Sequence, residues 1–286
     1  MRRPADTLAA RWARLEPHLE IVRPEGAGPW PTVILFHGCG GRRPYLADYM
    51  RDIAAAGMLA ISVDSFEPRG MSRMRALATV CTGAELQGWL RAGDVLAAVW
   101  GVRRMPDADA TRLALAGWSH GGWSIMDLMT MPLIRPGEAG IADPDPTLLD
   151  GVKALVLAYP YCGPGALSQL RPWRRTPDVF AFVGENDRVA HPGLCRRAFR
   201  AAERSGARVT TWFLPGATHA FDENGAELPR FVEAAQAVGL AGFRFDESAF
   251  AEARRRTAEF LAGAFAVAPA QNAPRARSVL SESTKH

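Results

Sequence analysis

Residues 117–122 read Gly-Trp-Ser-His-Gly-Gly and follow the apolar run Leu113-Ala114-Leu115-Ala116. A serine between two glycines at the end of such a run, with a helical pattern beyond it, is the arrangement that lifts a hydroxyl out of a sharp strand-to-helix turn. The plain alternative is a turn and nothing more. A serine hydroxyl is a poor nucleophile until a base takes its proton, and the base needs a carboxylate to hold its tautomer. The chain has six histidines, and beyond Ser119 and its neighbour only His191, His219 and His286 remain. His286 ends the chain, and His191 precedes a proline at a helix start, where capping or exposure is expected. His219 lies in Pro215-Gly216-Ala217-Thr218-His219-Ala220-Phe221-Asp222, just beyond the strand pattern ending at Phe213-Leu214. It is the expected base. The acid is expected in Gly184-Glu185-Asn186-Asp187-Arg188-Val189, after the preceding strand, with Asp187 first and Glu185 as the fallback.

Acyl chemistry also needs donors aimed at the oxyanion of the transition state. One is expected from the backbone N–H of His120, directly after the serine. The other is expected from His37-Gly38-Cys39-Gly40-Gly41, a glycine-rich loop after an early strand, with the amide of Cys39 the candidate. His37 itself reads as structural rather than as a second base. Arg69, in Ser65-Phe66-Glu67-Pro68-Arg69-Gly70, is a candidate for gripping a substrate carboxylate, set against a loop-bracing ion pair. Trp118, Trp123, Phe66, Tyr159 and Tyr161 are candidate pocket aromatics, set against ordinary core packing.

These residues need a scaffold. Thr32–Phe36, Leu59–Val63, Leu113–Ala116, Ala154–Leu157, Val179–Val183 and Val209–Phe213 are continuous apolar or β-branched runs. Continuous rather than alternating apolarity predicts parallel strands covered on both faces. Helical patterns fall between them at roughly 44–56, 85–100, 121–131, 191–205 and 246–264. The last carries Phe250, Ala253, Thr257, Phe260 and Leu261 on one stripe, with Asp246 as N-cap. The alternation predicts a doubly wound α/β sheet, whose carboxyl edge collects ligands and chemistry. One domain is expected over 1–267, and residues 268–286, rich in Pro, Ser and Ala, are expected to form a frayed tail.

Net charge is +4 with no basic face interleaved with aromatics, so no nucleic-acid partner is expected. The N-terminal apolar stretch is broken by Arg11 and Arg14, and the longest apolar run, 260–270, is too short to span a bilayer. No membrane partner and a cytoplasmic location are the expectations. Cys39, Cys81, Cys162 and Cys195 show no metal-ligand spacing. Reduced thiols are expected, with a Cys81–Cys162 bridge as the alternative in an exported protein. The sequence leaves the oligomeric state open.

Taken in order, HGCGG at 37–41, VDSFEPRG at 63–70, GWSHGG at 117–122, AYPYCG at 158–163, VGENDRV at 183–189 and THAFD at 218–222 resemble the dienelactone hydrolase family. The resemblance runs from about residue 20 to 265. It implies an α/β-hydrolase fold with a mostly parallel central sheet, and hydrolysis of carboxylic esters or lactones without metal or cofactor. Dienelactone hydrolases proper use a cysteine nucleophile where this chain has Ser119, which leaves the triad logic intact and the dienelactone substrate open. A peptidase or acyltransferase on the same fold, and a catalytically silent binding module, are the alternative readings.

Overall fold

The computed structural model describes residues 5–224 and 243–267; the tail expected at 268–286 lies outside the described residues. Seven strands form one sheet: β1 (Leu19–Val22), β2 (Trp30–Phe36), β3 (Leu59–Val63), β4 (Ala108–Trp118), β5 (Val152–Ala158), β6 (Asp178–Gly184) and β7 (Arg208–Leu214). Their order is β1-β3-β2-β4-β5-β6-β7. β1 runs antiparallel to β3, and every other pairing is parallel.

The described helices are α1 (Leu8–Leu15), α2 (Pro44–Ala55), α3 (Arg73–Thr79), α4 (Gly88–Val102), α5 (His120–Thr130), α6 (Pro192–Arg204) and α7 (Glu247–Phe265). α2 packs on α7, while α4 packs on α1 and α5, so the sheet is sandwiched between helical layers. The inner strands are apolar along their length because both faces are covered. β3 is buried at every residue, and β2 at all but its first. Helix starts follow local chemistry. Asp246 accepts the Ala249 N–H at 3.0 Å, and His191 caps α6 through Nδ1, accepting the Gly193 N–H at 3.1 Å.

All five helical patterns and all six strand patterns correspond to observed elements, with ends displaced by a few residues. β4 is the largest extension, reaching back to Ala108 through polar residues. Three short elements were not read from the sequence. α1 has only eight residues, α3 has seven, and β1 is a four-residue edge strand. No helix among the described residues is long and apolar enough to cross a membrane.

Candidate active site

β4 ends at Trp118 and α5 begins at His120, so Ser119 alone makes the turn. Its backbone sits at φ 51°, ψ −110°, an unfavourable region for a residue with a side chain. Three bonds hold it there: its N–H donates to Ala158 O at 2.9 Å, and its C=O accepts from Trp123 N at 3.0 Å and Tyr161 N at 3.2 Å. The flanking glycines are steric necessities. A Cβ on Gly117 would lie 2.6 Å from Gly121 C, and one on Gly121 would lie 2.2 Å from Phe36 O.

The structure brings the three sequence-nominated side chains together from three strand ends. Ser119 Oγ lies 2.9 Å from His219 Nε2, and His219 Nδ1 lies 2.8 Å from Asp187 Oδ2. The other carboxylate oxygen, Asp187 Oδ1, accepts the N–H groups of Val189 at 2.8 Å and Ala190 at 2.7 Å. All three residues are buried, which strengthens each of these bonds relative to water. The fallback acid, Glu185, points elsewhere, to Arg196 at 3.4 Å on the exposed surface.

The 37–41 loop packs against the serine, with a Cβ on Gly38 falling 3.5 Å from Ser119 Cβ. The Cys39 amide donates to no acceptor among the described residues. His120 opens α5, where the first amides have no helical acceptor. Both residues line the cleft above Ser119. His37 is enclosed. Its Nδ1–H donates to Gly38 O at 2.7 Å and its Nε2 accepts the Ser65 N–H at 3.1 Å, which fixes a neutral tautomer. Burial, and then the charge of Arg91, hold its pKa below the ordinary histidine value. The His37 side chain is therefore structural.

Arg69 requires a correction. Its guanidinium binds Asp94 Oδ1 at 2.8 Å and Ser65 O at 2.5 Å, and it does not line the cleft. Asp94 draws it inward. Burial pushes the Asp94 carboxyl up, but the charges of Arg69 and Arg11 win and hold it at about 2.

The cysteines require another. Cys39 is joined to Cys81, with Cα atoms 5.1 Å apart, while Cys162 and Cys195 are free and buried. The Cys81–Cys162 alternative fails because Cys81 is bonded to Cys39, while the Cys162 thiol donates to Pro160 O at 3.2 Å. Connectivity is a tertiary property that spacing does not carry.

The cleft has a volume of about 750 Å³. Trp123, Tyr159 and Tyr161 line it, whereas Trp118 and Phe66 are core residues. Trp118 Nε1 donates to Asp222 Oδ2 at 3.1 Å, and Phe66 packs edge-on against His37 at 4.6 Å. Sequence reasoning missed the polar wall, where Glu223 accepts from Arg43 at 2.7 Å and Arg73 at 3.2 Å. The only signal was Arg42-Arg43 directly after the glycine-rich loop. Among the described residues no cluster of His, Cys, Asp and Glu is assembled to hold a metal ion.

Neither a protein-family model nor a curated protein sequence matches the chain. Solved structures do. A dienelactone hydrolase-like promiscuous phosphotriesterase from metagenomic libraries superposes with a TM-score of 0.64 at 16% identity, over 86% of this chain and 91% of that one. A thermophilic esterase from Thermogutta terrifontis, with propionate bound, gives 0.61 at 18% identity over 88% and 91%. A putative dienelactone hydrolase from Klebsiella pneumoniae subsp. pneumoniae gives 0.58 at 17% identity over 85% and 92%. At these identities the likeness is one of fold. The chain has the α/β-hydrolase fold of those proteins, a mostly parallel sheet between helical layers.

Proposed function

We propose that this protein is a serine ester hydrolase allied to the dienelactone hydrolases, cleaving carboxylic esters or lactones through an acyl-enzyme. The observation that carries the reading is the hydrogen-bonded series from Ser119 Oγ through His219 to Asp187. Ser119 Oγ attacks the carbonyl carbon while His219 Nε2 takes its proton. Asp187 holds Nδ1–H and stabilises the imidazolium that forms. The amides of Cys39 and His120 receive the oxyanion, in a cleft where partial burial strengthens them. His219 then returns the proton to the leaving alcohol, and a water deprotonated by the same imidazole clears the acyl group.

The named neighbours lend support, since one is an esterase and that esterase is also known phosphorylated by paraoxon. Location is part of the proposal. The Cys39–Cys81 bridge favours an oxidising compartment over the cytoplasm expected from the sequence.

The test is turnover of p-nitrophenyl acetate with Ser119→Ala as control. Hydrolysis abolished in the variant supports the reading. A wild type without Ser119-dependent turnover of any short ester points instead to a silent binding module.

A further inference from the structure

α4 buries an arginine completely. Arg91 has no exposed surface, and burial brings its pKa down to about 10. A guanidinium in that setting needs acceptors for its N–H groups. It does not take them from a carboxylate: no described acid lies within ion-pair distance, and Asp94, one turn along, gives its Oδ1 to Arg11 at 2.6 Å and Arg69 at 2.8 Å. Arg91 Nε donates instead to Ser65 Oγ at 3.0 Å. Its Nη1 bridges His37 O at 2.8 Å and His120 Nδ1 at 3.2 Å; Nη2 lies 3.3 Å from His37 Nδ1, whose proton goes to Gly38 O, so that approach supplies no acceptor.

Those contacts are selective. His37 opens the loop that carries Cys39, and His120 follows the serine, so one planar group ties together the two segments that supply the proposed oxyanion donors. They belong to different strand ends, β2 and β4, and among the described residues no backbone hydrogen bond joins the His37–Gly41 loop to His120. The bridge also sets protonation. With Nδ1 accepting from Arg91, and with burial followed by the Arg91 charge depressing its pKa, His120 stays neutral beside the serine.

We infer that Arg91 is a positioning residue for the oxyanion hole, holding the Cys39 and His120 amides at a fixed separation by bridging His37 O and the His120 ring. The inference rests on the hydrolase reading. A lysine keeps the charge but not the planar fork, so it cannot make both contacts and the bond to Ser65 at once. Donor placement matters because an oxyanion hole acts on the transition state far more than on the bound substrate.

The test compares Arg91→Met, Arg91→Lys and Ser65→Ala in the full chain, using p-nitrophenyl acetate and a trifluoromethyl ketone that forms a tetrahedral adduct at Ser119. Arg91→Met should lower kcat by roughly 10²-fold, the scale of one misplaced donor, with KM within about twofold. The ketone's inhibition constant should rise in proportion to the loss of kcat/KM. Arg91→Lys should recover only part of kcat. Ser65→Ala removes one anchor, should fold whatever Arg91→Met does, and should lower kcat severalfold at constant KM. Unchanged kcat in Ser65→Ala and Arg91→Lys, or ketone affinity that does not follow kcat/KM, overturns the assignment while leaving the hydrolase reading standing. Absence of Ser119-dependent turnover in the wild type overturns both.

Discussion

Replacing Asp187 by asparagine keeps the shape of the side chain and reverses one bond. The carboxylate accepts two backbone N–H groups on Oδ1 and the His219 Nδ1–H on Oδ2. An amide has one acceptor oxygen, and the Val189 and Ala190 donors claim it. The NH₂ must then face His219, so Nδ1 becomes the acceptor and the ring proton moves to Nε2. Nε2–H now points at Ser119 Oγ, 2.9 Å away, and cannot take its proton. The productive tautomer requires flipping the amide, which sets NH₂ against the part-buried Val189 N–H and the buried Ala190 N–H. At about 1–3 kcal/mol for each unsatisfied group, the flip costs about 2–6 kcal/mol, a population loss of roughly 30- to 10⁴-fold. The upper end matches the kcat loss on the order of 10⁴ known for a wrong-tautomer triad. Steady-state kinetics on p-nitrophenyl acetate, with Tm measured in parallel, give the check: kcat collapses while Tm moves little. Glu185→Gln, on an exposed side chain paired with Arg196, should be silent. A mild Asp187→Asn together with a crippled Glu185→Gln would refute the reasoning.

Three further outcomes follow from the same geometry. Arg69→Ala should leave the ratio of KM values for carboxylate-bearing and neutral esters unchanged and lower Tm, because the guanidinium serves Asp94; a selective rise for anionic esters would restore it to the cleft. Cys81→Ala should lower Tm, since the bridge closes a separation of 42 residues, worth about 4 kcal/mol on loop entropy; ester turnover should largely persist because Cys39 would act through its backbone, and equal Tm with and without reductant would contradict the bridge. Asp127, with Oδ1 accepting Ser168 N at 3.1 Å, is pushed by burial to about 7 from 3.8. Between those values the folded state keeps a proton that the unfolded state has released, so stability falls as pH rises from about 4 to 7. Asp127→Asn should therefore gain stability over wild type across that window, by an amount on the order of a few kcal/mol; a difference independent of pH in denaturant titrations would contradict the shift. Asp222, also raised to about 7 by burial, adds a parallel slope that the variant retains.

The strand ends that carry Ser119, Asp187 and His219 were legible because each rests on a local signal. Val179–Val183 is an unbroken apolar run and Val209–Phe213 a run of β-branched and aromatic residues, and Asp187 and His219 stand in the loops directly after them. Gly117 and Gly121 advertise the turn because no larger residue fits against Gly122 N and Phe36 O. The rest depends on long-range partners. Arg69 follows a strand at the right edge of the sheet, yet its direction is decided by Asp94, 25 residues on. Cys81 meets Cys39 only because α3 folds its following loop over the cleft. Arg91 looks like a surface residue of a helical pattern until α4 is seen packed between α1 and α5, where it has no route to water. α1 escaped notice because its buried face, Leu8, Arg11, Trp12 and Leu15, includes an arginine neutralised by Asp94 and Asp6.

The most direct measurement of the central claim is covalent titration with paraoxon, read by intact mass and peptide mapping. An activated serine attacks phosphorus as it would a carbonyl carbon, expels p-nitrophenolate and keeps the diethylphosphoryl group. The account predicts one adduct per chain, on Ser119, formed in step with loss of esterase activity. It predicts no adduct in Ser119→Ala and a greatly slowed reaction in His219→Ala, with both variants folded. An adduct on another residue, or full esterase activity retained in Ser119→Ala, would contradict it.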